Sequence, residues 1–347
     1  MSEPLVYTCT PRQTRQFIME CMEAGCVPFV TSSPGMGKSS IMRDIARQGR
    51  LKLIDHRLST SPPEDLSGLP RFNEKGNAEF AAFEDLFPLE GTPVPEGMNG
   101  WMVFLDEFNS AKKETQAAAY KLLLDKMTGQ KKLHEQVWIT TAGNKITDRA
   151  IVNPIGTAMQ SRVIHLEMVI DFDEWLYDVA LKNNYDPRII AYLSAYRSKL
   201  MDFNPAHNEK TFCCPRTWEF MDDLIKVNGI VDTSRAPLFA GTITSGVALD
   251  FINFTSVYDS LVSVAEILKD PLGARLPANN NGNWATVSMM FENITETTFP
   301  LLAQYADRLP LDMRVLFYRF CIVRHPWVRQ APGFAAATVN LSRYLHG

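Results

Sequence analysis

Eight consecutive residues, Ser33-Pro34-Gly35-Met36-Gly37-Lys38-Ser39-Ser40, have the types and spacing to hold a chain of phosphates. They contain the closing half of the spacing G-x-x-x-x-G-K-[ST], in which successive backbone N–H groups wrap the phosphates and glycine admits the dihedrals this needs. The lysine, here Lys38, neutralises β/γ-phosphates, and the hydroxyl, here Ser39, ligates magnesium. Ser32 stands where the pattern has its first glycine, a departure at one position. An ordinary polar strand-to-helix turn also favours Gly and Ser for backbone reasons, so the loop is weighed with its surroundings.

Downstream, the apolar run Met102-Val103-Phe104-Leu105 ends in Asp106-Glu107. Neighbouring side chains alternate along a strand, so Asp106 is expected to face a hydrated Mg2+ while Glu107 projects to where water would attack a γ-phosphate. A carboxylate beside that water can orient it and take up its proton. Strands leaving a core for a solvated loop commonly carry acids too, and it is the joint occurrence with Lys38 that favours the chemical reading.

The elements that must position these groups follow from the spacing of apolar residues. Thr10-Pro11-Arg12-Gln13 combines a capping hydroxyl, proline at the first helical position and an amide at the third, and predicts a helix running to Gly25 with Phe17, Ile18, Cys21 and Met22 on one face. The short run Val27 to Val30 reads as a buried strand that empties into the glycine-bearing loop. Helical spacing resumes from Ser40 to Arg47, with Gly49 expected as a left-handed cap, and Leu51 to Asp55 reads as a second strand. Two more strands, Met102 to Leu105 and Val137 to Thr141, flank a helical segment from Thr115 to Lys126. This alternation predicts an α/β fold with a parallel sheet and helical crossovers.

Between the second strand and Asp106 lies a stretch punctuated by Pro and Gly. Within it, Leu69-Pro70-Arg71-Phe72 and Ala78-Glu79-Phe80-Ala81 flank a glycine-containing turn and read as a hairpin. The nearby charges His56-Arg57 and Glu64-Asp65 are read as solvated. From about Phe172 the strand signals fade, and Asp173 to Leu181 and Ile189 to Leu200 show helical spacing. The expected division is a nucleotide-binding core over residues 1–168, a helical lid over 169–250 and a helical extension over 251–347.

A chain of 347 residues with a formal net charge of −4 gives no chain-wide electrostatic footprint for nucleic acid or anionic membrane. No apolar run reaches the ~18 residues that suggest a membrane span. The six cysteines lack metal-ligand spacing and no secretory leader is read before them, so they are expected to be reduced thiols in a cytoplasmic protein. Arg314, Arg319, Arg324 and Arg329 fall in a helical stretch to which no chemistry attaches, and are expected to be solvated.

Taken together, SSPGMGKSS, VFLDEFNSA and ITTAGN resemble the AAA+ family, and the later segments Ala158 to Glu167 and Cys214 to Glu219 resemble MoxR-like ATPases. The resemblance covers roughly residues 10 to 225. It implies ATP and Mg2+ as ligands, with Ser33 to Ser40 on the nucleotide, Ser39 and Asp106 on the metal, and Glu107 activating water. It also implies roles for three residues that are bland on their own. Asn144 matches the sensor 1 residue, otherwise a turn former. Arg162 matches the arginine finger that reaches a neighbouring subunit, with Arg149 in reserve. Arg216 matches the sensor 2 arginine at the start of a lid helix.

The resemblance further implies a homo-oligomeric ring, typically hexameric, that remodels or loads a separate partner, often one with a von Willebrand factor A domain. This sequence has no Asp-x-Ser-x-Ser run of its own. Two alternatives stand beside it. A nucleic-acid translocase or helicase loader predicts a basic hairpin, whereas Arg71 and Lys75 are balanced by Glu74 and Glu79. A non-hydrolysing scaffold fits the missing glycine at Ser32 but leaves Glu107 without a purpose.

Overall fold

In the computed structural model, which describes residues 7–83, 86–148, 152–256 and 262–345, the apolar runs of the first half become one parallel sheet. The chain divides into two compact units, Met1–Asp171 and Phe172–Gly347. The first unit has strands β1 (Thr8–Cys9), β2 (Val27–Ser32), β3 (Leu51–Arg57), β4 (Leu69–Phe72), β5 (Ala78–Ala81), β6 (Gly100–Asp106), β7 (Met127–Thr128), β8 (Lys131–Lys132), β9 (Val137–Asn144) and β10 (Val163–Met168). Six of them form the sheet in the order β1-β10-β2-β9-β6-β3, every neighbouring pair parallel.

The pattern of burial explains the order. All seven residues of β6 are buried, as a central strand covered on both faces requires, whereas the edge strand β3 alternates between covered and open positions. One face of the sheet, carrying Phe29, Trp101, Val103, Leu105 and Ile139, packs under Leu66, Ala119 and Leu122. Met102 and Phe104 alternate to the opposite face, which is the side of helices α1 (Pro11–Glu23) and α2 (Lys38–Gln48). Helices α3 (Pro63–Ser67) and α4 (Lys113–Asp125) supply the cover of the first face.

Local chemistry sets the helix ends. Thr10 and Gln13 form the expected reciprocal box: Thr10 Oγ1 accepts from the Gln13 N–H at 3.3 Å, and Gln13 Oε1 accepts from the Thr10 N–H at 3.0 Å. The close of α2 differs from expectation. Gly49 has φ −74°, and the left-handed residue is Arg50 at φ 51°. Asn99 explains the shift, donating its N–H to Arg50 O at 2.7 Å and its Nδ2 to Gly49 O at 2.8 Å, so the turn continues one residue further.

The hairpin is present as β4 and β5, paired antiparallel with Arg71 opposite Glu79 and joined through a turn in which Asn73 Oδ1 accepts from the N–H groups of Lys75 and Asn77. Phe72 on it is 80% exposed.

The second unit is helical among the described residues. Asp173 to Leu181 is a short helix, Phe172–Glu174, that widens into a π-type turn over Trp175–Ala180. Ile189 to Leu200 breaks at Tyr196 into an α-helix, Pro187–Ala195, and a 3-10 turn, Arg197–Leu200. The break is held by Trp218 Nε1, which donates to Lys199 O at 2.8 Å. Tyr192, Trp218, Phe251 and Phe254 form an aromatic core, and Phe291 stacks on Phe320 with ring centroids 3.7 Å apart. Arg314, Arg319 and Arg324 are half-buried rather than solvated, Arg319 lying over the Tyr177 ring at 4.6 Å and Arg324 over Phe320 at 5.6 Å. The described cysteines are all free, and only Cys26 is exposed. No described helix is long and apolar enough to cross a membrane.

Candidate functional site

The site is built where β2, β9 and β6 end. Parallel strands all point the same way, so the loops that follow them gather at one edge, the place where open α/β sheets bind ligands. The registers Ser32↔Asn144 and Leu105↔Thr141 bring the three strand tips level to within a few residues.

After β2 the loop of Ser33, Pro34, Gly35, Met36 and Gly37 turns into α2. Gly37 is the N-cap at φ 87°, a left-handed conformation that glycine takes without the steric cost other residues bear. It brings no side chain to cap the helix, so the first-turn amides of Lys38 and Ser39, which have no intrahelical acceptor, face outward with the positive end of the helix dipole. Such an arrangement can take an anion. Gly35 and Met36 are buried and line the inside of the turn, while Ser40 is exposed and its N–H returns to Gly37 O at 3.0 Å.

Lys38 folds back over the loop. Its Nζ donates to Ser32 O at 3.2 Å and Ser32 Oγ at 2.9 Å, and lies 3.5 Å from Asn144 Oδ1. The serine in place of glycine is therefore a ligand of the lysine. Ser39 Oγ donates to Asp106 Oδ2 at 3.2 Å, which sets a hydroxyl and a carboxylate side by side. Two hard oxygens at a strand tip, one on buried Asp106 and one on half-buried Ser39, fit magnesium, which is held by few protein oxygens and keeps several waters.

Glu107 corrects the alternation argument. The strand ends at Asp106, and Glu107 is left-handed at φ 55°, ψ 34°. The turn, not the pleat, separates the two carboxylates: Asp106 Oδ1 accepts from the Glu107 N–H at 2.8 Å and holds it in place. The Glu107 carboxylate then meets Ser59, whose Oγ donates to Oε2, and Arg57, whose Nε lies 3.5 Å from Oε1. Arg57 is thus a contact of the site while its side chain stays 61% exposed, as expected of a solvated charge. His56 is also engaged, with Nε2 3.0 Å from Ser61 Oγ, and burial pushes its pKa down while Asp65 and Asp55 oppose the shift.

Asn144 is placed through its backbone. Asn109 Nδ2 donates to Asn144 O at 2.7 Å and Asn109 Oδ1 accepts from the Asn144 N–H at 3.0 Å. Asn109 is buried, and a Cβ at Gly143 would collide with its Oδ1, so the glycine leaves room for this clamp. Sequence reading missed Ser59 and Asn109 because polar residues in turns carry no spacing signal. Asn109 lies two residues beyond Glu107, and that proximity was the one available hint.

Lys38, Ser39, Asp106, Glu107 and Asn144 are thus brought together. Arg162 is not. It is exposed just before β10, at the end of that strand level with Val27, with Nη1 donating to Ala158 O at 2.6 Å. Five residue steps along β2 separate that level from Ser32, about 17 Å. Arg216 belongs to the second unit, exposed in the first turn of the helix Pro215–Lys226. Arg149 lies outside the described residues.

Compared with known proteins, the sequence matches no family model and no curated protein. Among solved structures, the chain is similar to a protein of Cytophaga hutchinsonii ATCC 33406 described as a "putative ATPase", with a TM-score of 0.37 and 14% identity over 90% of this chain and 81% of that one. A likeness that distant assigns no activity to this chain.

Proposed function

We propose that this protein is a MoxR-like AAA+ ATPase that binds ATP with Mg2+ and hydrolyses it in a ring to remodel or load a partner protein. The observation that carries the reading is the convergence of Lys38, Ser39, Asp106 and Asn144 at adjoining strand tips, with Ser39 Oγ bonded to Asp106 and Lys38 within reach of Asn144.

In this reading the amides from Gly35 to Ser39 cradle the inner phosphates and Lys38 neutralises the outer ones, with Ser33, Pro34 and Ser40 completing the loop. Ser39 and Asp106 would hold magnesium, directly or through its waters; the ion supplies neutralisation of charge on the β and γ oxygens. Water attacks the γ-phosphorus as the bond to the β–γ bridging oxygen breaks, and Glu107 accepts the water's proton. Its present partners, Ser59 and Arg57, must yield an oxygen for that step. Asn144 orients the water or a terminal oxygen.

Arg162 would act on the neighbouring subunit's nucleotide, which suits its exposure and its distance from the loop of its own chain. A guanidinium given in trans makes turnover depend on assembly. Arg216, matched to the sensor 2 arginine, would contact the γ-phosphate of the same or the adjacent subunit's site. The partner is a separate protein, for which a von Willebrand factor A domain is the proposed type, and the exposed Phe72 on the hairpin is the proposed place of contact.

Phosphate release by the purified protein tests the core of this. Lys38→Ala should abolish nucleotide binding, and Glu107→Gln should bind ATP with turnover reduced about 100-fold or more, the range of general-base losses. Mixing Arg162→Ala with Lys38→Ala chains should restore part of the activity that each lacks alone. An unreduced rate in Glu107→Gln, or absence of turnover in the parent at high protein concentration, would overturn the hydrolytic reading.

A further inference from the structure

We infer that Cys21 and Cys26, paired across the turn that ends α1, form a reversible oxidation site in which peroxide oxidises Cys26 and Cys21 closes a disulfide onto it.

The turn itself sets up the pair. Gly25 is left-handed at φ 71°, its N–H donates to Met22 O at 3.1 Å, and the next N–H, that of Cys26, donates to Cys21 O at 2.8 Å. These two nested bonds are the Schellman close of a helix, in which the residue after the glycine packs its side chain against the residue that accepts its N–H. Here both of those positions are cysteines. The 2.8 Å bond also bounds their separation. With standard backbone dimensions the two Cα atoms lie no more than about 6.7 Å apart. That is inside the ~7 Å beyond which a disulfide demands movement of the backbone.

Exposure assigns the roles. Cys26 is the exposed thiol, whereas Cys21 is only 8% exposed. Burial pushes the Cys21 thiol up, and Cys26 is the next cause, as expected of neighbouring sulfurs. The Cys26 Sγ is 3.9 Å from Ala24 O, a contact too long to hold an exposed side chain in one rotamer. Rotation about its χ1 is therefore open to it, and the backbone bonds that already close the turn stay in place.

The chemistry balances with one oxidant, hydrogen peroxide. The Cys26 thiolate attacks a peroxide oxygen, the O–O bond breaks, and Cys26 becomes a sulfenic acid as hydroxide leaves. Cys21 gives up its proton and attacks the Cys26 sulfur, the S–O bond breaks, and the oxygen leaves as water. In sum, two thiols and one peroxide give one disulfide and two waters. Without Cys21, a second peroxide carries the sulfenic acid to sulfinic acid, which thiols do not reduce.

The test exposes the native full-length protein to hydrogen peroxide, removes the excess with catalase, and labels remaining thiols with iodoacetamide in denaturant. Trypsin releases Gln16–Lys38, whose cysteines are Cys21 and Cys26 alone. In the parent this peptide should lose both labels together, lighten by the two hydrogens of a disulfide, and regain both labels after dithiothreitol. In Cys21→Ser the label at Cys26 should be lost and not regained, with the mass of a sulfinic acid. In Cys26→Ser the buried Cys21 should keep its label. Irreversible oxidation of Cys26 in the parent, or two labels retained at peroxide levels that oxidise Cys26 in Cys21→Ser, overturns the inference. So does a dimer joined through Cys26 on a non-reducing gel. The parent's own result decides the matter even where a variant fails to fold.

Discussion

At the scale of single residues, the proposed site depends on groups outside the glycine-bearing loop. Asn109 makes both of its side-chain hydrogen bonds to the backbone of Asn144, and it is buried. Asn109→Ala leaves an N–H and a C=O without their partners, at a cost of about 1–3 kcal/mol each if water does not reach them. The tip of β9 would then relax and carry the Asn144 side chain with it. The expected outcome is a turnover number lowered at least about tenfold, the effect of misplacing a group beside the reacting atoms, with nucleotide affinity little changed. Steady-state kinetics beside nucleotide titration checks this. Equal losses in affinity and turnover would mean that Asn109 supports the loop as a whole rather than Asn144.

At the scale of elements, the junction of β2 and α2 rests on Gly37. Its φ of 87° suits glycine, yet nothing stands within 4 Å of where a Cβ would be. Gly37→Ala therefore meets no clash, and its cost is conformational alone, about 1–2 kcal/mol. Chemical denaturation should show that loss, and phosphate-analogue binding should weaken because the first-turn amides turn away from their common focus. A loss well above that range would point to a hidden steric contact. These same elements show what was legible in the sequence and why. The buried strands announced themselves as unbroken apolar runs, α1 by its capping residues, and β4 with β5 by a glycine turn between matched segments. The left-handed Glu107 was not legible, because the run into Asp106 gives no sign of where pairing stops. Arg50 replaced Gly49 as the left-handed residue because Asn99, distant in sequence, satisfies the carbonyls there. β10 lay inside a segment noticed for Arg162, and Ser59 reached Glu107 only once β3 had paired with β6.

At the scale of the whole molecule, each unit carries a histidine whose pKa is pushed down by burial in the fold. His56 in the first unit sits at 5.9 Å from the Phe87 ring, and His325 in the second at 6.0 Å from Trp327. Burial is the leading cause that pushes both below the ordinary value, with Arg324 adding to it at His325. The unfolded chain then binds more protons than the folded one once the pH falls below the unfolded histidine value of about 6.5. Their contribution to stability is present in full above that value and is lost as the pH drops through it toward the folded value. Asp222 and Asp307, pushed up by burial, act in the opposite sense, so the histidines are best read from variants. Gln keeps a hydrogen-bonding amide and does not titrate. His56→Gln and His325→Gln should each lower their urea midpoint less than the parent does between about pH 7.5 and 5.5, the window that brackets the ordinary histidine value. The double variant should be flatter still, because the two groups belong to separate units and effects at independent sites add. A parent and double variant with the same drop in midpoint would assign the acid sensitivity elsewhere.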